Sequence, residues 1–279
     1  MGWSLGGEAH VFVASDRFAR DFYRQLTGSR RLSDSLRRRP LVAVETRRAR
    51  SATVLSASGA APARLTLARF HAPQTCGYAG IVTELVLAFP PGSAAGRSTP
   101  RSHVAVVALL DAPPFAGGAG SLRPVLNRSA ALDLVNRVVH RAESVATLLR
   151  PLVLDADQSA DAGEVVSLGS RYGVGFRARF VTRAADTMLV TGVATTDLER
   201  NDVRWVVRPQ RIRLTGGMIP RASAGVRYSV RGTVAGQGGG TLLLLDEITD
   251  VSARDSRATA VDPATRRVIA AQPLALRCP

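Results

Sequence analysis

Residues 171–180 read RYGVGFRARF, and the alternation in this stretch decides the fold class. Tyr172, Val174, Phe176, Ala178 and Phe180 take every second place, with Arg171, Arg177 and Arg179 between them. Successive side chains on a strand point to opposite faces, so period two marks a strand with one apolar and one solvated side. The rhythm recurs where Val203, Trp205 and Val207 alternate with Arg204 and Arg208, and where Ile212 and Leu214 alternate with Arg211 and Arg213. Next comes a hairpin signal: VRYSVRGTV (226–234) and TLLLLDEI (241–248) flank a run rich in glycine, the residue that supplies the positive φ of tight turns. In the first arm Val226, Tyr228, Val230 and Val234 are expected on one face and Arg227 and Arg231 on the other. Closely spaced strands without helical patterns between them predict an antiparallel β-sandwich or barrel over residues 152–279.

Immediately upstream, residues 129–150 carry Leu132, Val135, Val139, Ala142, Val145 and Leu149 at helical spacing, with Ser129 as the expected cap and Pro151 as the stop. Asn127-Arg128-Ser129 is formally a glycosylation sequon and reads here as part of a helix cap. Further back, residues 64–70, 80–89 and 103–110 read as strands, while PPGSAAGRSTPRS (90–102) and APPFAGGAGS (112–121) read as loops by composition. Near the start, SDRFARDFYRQLTG (15–28) predicts a short helix capped by Ser15, with Phe18, Phe22 and Leu26 on its buried face. The predicted architecture is α+β and predominantly β: a basic mixed lobe over residues 1–151 with one long helix, then the antiparallel domain over 152–279.

The chain has 279 residues and a formal charge of +15, and all 37 of its basic residues are arginine. A lysine-free, arginine-rich composition is what a high-GC bacterial coding background produces, so basicity alone does not establish a polyanion partner. The charge nevertheless attracts polyanions at low salt. Residues 1–150 hold 20 Arg and 9 acids, against 17 Arg and 13 acids in residues 151–279, so the strand-rich half is the less basic one. The densest positive region is residues 30–50, where Arg30, Arg31, Arg37, Arg38, Arg39, Arg47, Arg48 and Arg50 are the candidate anion-binding residues. The outward arginines of the C-terminal strands, Arg171, Arg177, Arg179, Arg204, Arg208, Arg211, Arg213, Arg227 and Arg231, would form a second such surface if one sheet carried them all.

Absent lysine removes Schiff-base chemistry, the phosphate-loop lysine and the lysine of the protein-kinase site. There is no G-x-S-x-G elbow and no metalloprotease helix motif, and the four histidines are His10, His71, His103 and His140. His71 lies near Cys76, and a histidine–carboxylate hydrolase centre would need a cleft collecting His71, His103 and Asp155. Asp155, Asp157, Asp161 and Glu164 make an oxygen-rich loop, the candidate calcium site, although its spacing departs from the helix-loop-helix pattern. Cys76 and Cys278 are too few for a cysteine zinc site but are a candidate disulfide in an oxidising compartment. No apolar run approaches the roughly 18 residues of a spanning helix. The start has no signal-peptide pattern, which predicts a cytoplasmic protein as the sequence is written, or a periplasmic or secreted one if the true start lies upstream. The sequence favours a non-enzymatic binding or structural protein, envelope-associated or otherwise, that contacts an anionic partner and needs no cofactor. The alternatives are a polyanion- or nucleic-acid-binding accessory protein and a hydrolase of unrecognised type.

Overall fold

The computed structural model describes residues 2–5, 7–27, 32, 41–44, 51–73, 80–92, 104–110, 115–122, 125–145, 153–154, 165–181, 187–214, 226–248 and 256–273. Strands dominate, every strand pairing is antiparallel, and among the described residues there are two helices, α1 (Asp16–Thr27) and α2 (Arg128–Val145).

The N-terminal strands are β1 (Gly2–Leu5), β2 (Glu8–Ala14), β3 (Leu41–Val44), β4 (Ser51–Ser56), β5 (Gly59–His71), β6 (Val82–Ala88) and β7 (Val104–Leu110). They form one sheet in the order β3-β5-β4-β7-β1-β2-β6, and β6 also pairs with β5, so the sheet curls back on itself as a half-barrel. Strand β5 makes this possible through its length of 13 residues. Gly59 to Arg64 pair with β4, and the stretch from Arg64 to His71 pairs with β6 across a register shift between Leu65 and Leu67. Alternation then gives the sheet an inner face of Val11, Val13, Val54, Leu65, Phe70, Leu85 and Leu87, packed on Phe22 and Tyr23 of α1. The α1 cap is the expected one, since Phe18 N donates to Ser15 Oγ at 3.2 Å.

The second sheet contains β9 (Val153–Leu154), β10 (Val166–Ser167), β11 (Arg171–Val181), β12 (Thr187–Asp197) and β13 (Val203–Leu214). Helix α2 covers one of its faces. Leu134, Val135, Val138 and Val139 are all buried against Val174, Phe176, Ala178 and Val190, at about 1.5–3 kcal/mol per side chain. Asn127 caps α2, accepting from Ala130 N at 2.9 Å, whereas Ser129 was expected to do so. The helix starts one residue before Ser129, which places that residue inside the first turn.

The third sheet runs β17 (Val268–Pro273), β16 (Arg257–Val261), β15 (Thr241–Ile248), β14 (Arg227–Gly236), β8 (Phe115–Ser121). One of its faces meets the second sheet through Tyr228, Val230, Leu243 and Leu245; the other meets the curled sheet through Val234, Leu242 and Leu244 against Leu55 and Leu109. Two expectations are corrected here. A β-bulge between Val230 and Gly232 shifts the phase by one residue, so Val234 faces the opposite way from Tyr228 and Val230. The segment 112–121 read as a loop because it is glycine-rich, yet Phe115–Ser121 is a strand paired with β14. Gly120 serves close packing there: a Cβ on it would lie 2.7 Å from Thr233 O and 2.9 Å from Leu55 Cδ2. The layers are thus α2, second sheet, third sheet and curled sheet, with α1 inside the curl.

Candidate functional site

Between α2 and the β12–β13 turn lies a cleft of about 350 Å³ lined by Arg137, His140, Arg141, Arg200 and Asn201. Helical spacing sets Arg137, His140 and Arg141 on one stripe of α2, facing away from its buried leucine and valines. Arg200 arrives from the turn, where its N donates to Asp197 O at 3.1 Å and Asn201 N donates to Asp197 Oδ1 at 2.6 Å. The turn holds Arg200 at φ +66°, a left-handed conformation that costs a non-glycine residue about 1 kcal/mol. From there its Nη1 reaches Asp133 Oδ2 at 2.6 Å, and Arg137 Nε donates to the same oxygen at 3.2 Å. One carboxylate oxygen therefore holds two of the three guanidinium groups that line the cleft. Guanidinium offers a planar fork that matches carboxylate, sulfate and phosphate oxygens, so the arrangement suits an anion.

A second polar cluster stands on the outer face of the curled sheet. Glu84 on β6 lies opposite Phe12 of β2 and Arg69 of β5, with His10 and His71 on the diagonals. His10 Nδ1 is 2.8 Å from Oε1, His71 Nε2 is 2.9 Å from Oε2, and Arg69 Nη1 is 3.2 Å from Oε1. An ionised carboxylate only accepts, so both imidazoles present N–H to it. Burial raises the Glu84 pKa, but the hydrogen bonds from His71 and His10 and the charge of Arg69 outweigh burial and bring it to about 2. Trp3 stacks on His10 with ring centroids 4.0 Å apart. Each imidazole points a nitrogen at a different oxygen of one carboxylate, so the three do not converge on a common point. Among the described residues no group of three or more His, Cys, Asp or Glu could hold a metal ion.

Of the residues singled out from the sequence, His71 enters the Glu84 cluster, together with His10. The arginines of residues 30–50, the acidic loop of Asp155, Asp157, Asp161 and Glu164, His103 and both cysteines lie outside the described residues. The outward arginines do not share one sheet: Arg171, Arg177, Arg179, Arg204, Arg208, Arg211 and Arg213 belong to the second sheet, Arg227 and Arg231 to the third. Several serve local structure. Arg171 donates to Asp202 Oδ2 at 2.9 Å and Arg204 to the same oxygen at 2.8 Å, while Arg231 donates to Asp246 Oδ2 at 2.5 Å. Sequence reasoning missed Arg200, whose only signal is the turn-like DLERND at residues 197–202, and Glu84, which sits inside an apolar strand. Among the described residues no helix is long and apolar enough to cross a membrane. No protein-family model, curated protein or solved structure matches the chain.

Proposed function

We propose that the chain is a non-enzymatic binding protein whose cleft between α2 and the β12–β13 turn takes an anionic group of its partner, displayed on a sandwich of the second and third sheets. The observation that carries this reading is the convergence of Arg137, Arg141, Arg200 and His140 on one open cleft, with Arg200 delivered by a backbone conformation that glycine would adopt more easily. Backbone strain of this kind clusters at binding sites, where the rest of the fold holds it in place. The Glu84 cluster supports a hydrolase less well, because its carboxylate holds both imidazoles and Trp3 stacks on His10.

The test is a binding titration of the full chain against heparin, single-stranded DNA, duplex DNA and inorganic phosphate over a salt series. Wild type is compared with the double variant R137Q/R141Q and with a chain neutralised at the eight arginines of residues 30–50. The cleft reading expects R137Q/R141Q to weaken binding at physiological salt by at least about tenfold, the equivalent of 1.4 kcal/mol. If only the chain neutralised in residues 30–50 loses binding, the polyanion reading through that cluster replaces it. Weak, indiscriminate binding that salt abolishes in every chain would make the charge compositional.

A further inference from the structure

Where the third sheet faces the curled sheet, its side chains shrink from one strand to the next. On β14 and β15 the face carries Val234, Leu242 and Leu244, which pack on Leu55 and Leu109. In register with Leu244 stands Ala260 of β16, and in register with Ala260 stands Ala270 of β17. Ala258, two residues before Ala260, shares its face. The curled sheet does not make up the difference. Its β1 begins at Gly2, opposite Val11 of β2 and Val106 of β7, and past those partners β2 and β7 run on with no strand between them among the described residues. A strand that starts late on one side and three methyl groups on the other leave a cavity of about 310 Å³, lined by residues 11–13 of β2 and 107–109 of β7 opposite the alanines.

Among the described residues the lining holds no charged side chain, and only Thr259 and Gln272 are polar. Thr259 alternates with Ala258 and Ala260 and therefore points to the opposite face of β16. An apolar cavity lacks the polar partners that hold water in place and stays dry, and about 150 Å³ of such space admits benzene. Twice that room suits, by the same ratio, a hydrocarbon group of about twelve carbons, and it reaches the size at which ligand pockets begin, near 300 Å³. A charged or strongly polar group would be desolvated there without compensation. Residues 270–273 of β17, the last strand of the third sheet among the described residues, all line the cavity, so it reaches that edge of the sheet.

We infer that this cavity is a binding site for a hydrocarbon group, the alkyl chain of a small neutral or amphiphilic molecule. The chain lies on Ala258, Ala260 and Ala270, is held by burial without a hydrogen bond to the protein, and leaves its head outside at the β17 edge. The site is separate from the anion cleft and does not depend on it.

Isothermal titration of the full chain with the neutral 1-alkanols from butanol to octanol tests this. The expected result is saturable 1:1 binding of octanol, with affinity rising about fourfold for each methylene added along the series, the gain of burying one such group. Ala260→Leu fills the centre of the cavity and should abolish octanol binding. Ala270→Val, a smaller intrusion, should weaken it several-fold and covers the case where the leucine variant does not fold. No saturable binding of octanol to wild type, a rise below twofold per methylene, or affinity unchanged in a folded cavity-filling variant would reduce the cavity to a packing void and overturn the proposal.

Discussion

Glu84 and Asp246 are both strand carboxylates with little exposed surface, and their surroundings drive them in opposite directions. On the outer face of the curled sheet Glu84 uses both oxygens, bound by two imidazoles and one guanidinium, and its pKa falls to about 2 despite burial. At the interface between sheets Asp246 has one guanidinium on one oxygen, and burial pushes its pKa up against the pull of Arg231. Burial costs both, and the number of donors within reach decides which effect wins. A fully partnered buried carboxylate is held in its charged form, whereas a half-partnered one keeps an unmet acceptor that disfavours the charge.

Removing each carboxylate should separate the two cases. Glu84→Ala leaves Arg69 and two imidazoles around a void and is expected to cost about 3 kcal/mol in urea unfolding, since taking one partner from a buried charge cluster strands the others. A loss below about 1 kcal/mol would mean that the cluster is decorative. Asp246→Asn keeps the shape and removes a poorly compensated charge, so its net cost is expected at about 1 kcal/mol or less. If this variant proved the more damaging, the contrast would be reversed.

Acid titration of stability sharpens the same contrast. Glu84 has a folded-state pKa below its ordinary 4.5, so its contribution is complete above that value and is lost as pH falls toward about 2. Asp246 is raised above its ordinary 3.8, so the stability it contributes is present below that value and is lost as pH rises through the raised one. The stability gap between wild type and Glu84→Ala should therefore shrink on acidification from pH 4.5 toward 2, while wild type should gain on Asp246→Asn as pH falls. Parallel profiles for the two variants would contradict the assignment.

The parts of the fold written in local periodicity were legible from the sequence. Residues 171–180 announced a strand because Val174 and Phe176 need burial where Arg177 does not, and Ser15 announced the start of α1 through its side-chain oxygen. The glycine-rich composition of residues 117–120 hid β8, and at Gly120 the glycine permits close approach to a neighbouring strand, a tertiary reason with no local signature. The bulge at Val230 was equally invisible, since a phase slip is set by pairing with β15. Of the candidate cleft, His140 and its helix could be read, but Arg200 joins them only because a turn some 60 residues away folds beside α2, and spacing along a chain carries no such information. Long-range assembly likewise explains Glu84, whose partners lie 74 and 13 residues distant.

The smallest expected change in stability accompanies the most direct test of function. Arg200→Gly places at φ +66° the residue that prefers it, a gain that offsets the lost ion pair with Asp133, so stability should stay within about 1 kcal/mol of wild type while the cleft loses one guanidinium group. Heparin affinity of this variant at physiological salt, measured beside its urea midpoint, decides the matter. Binding should weaken about tenfold in a protein of near wild-type stability. Affinity equal to wild type in that same folded variant would contradict it and remove the cleft as the anion site.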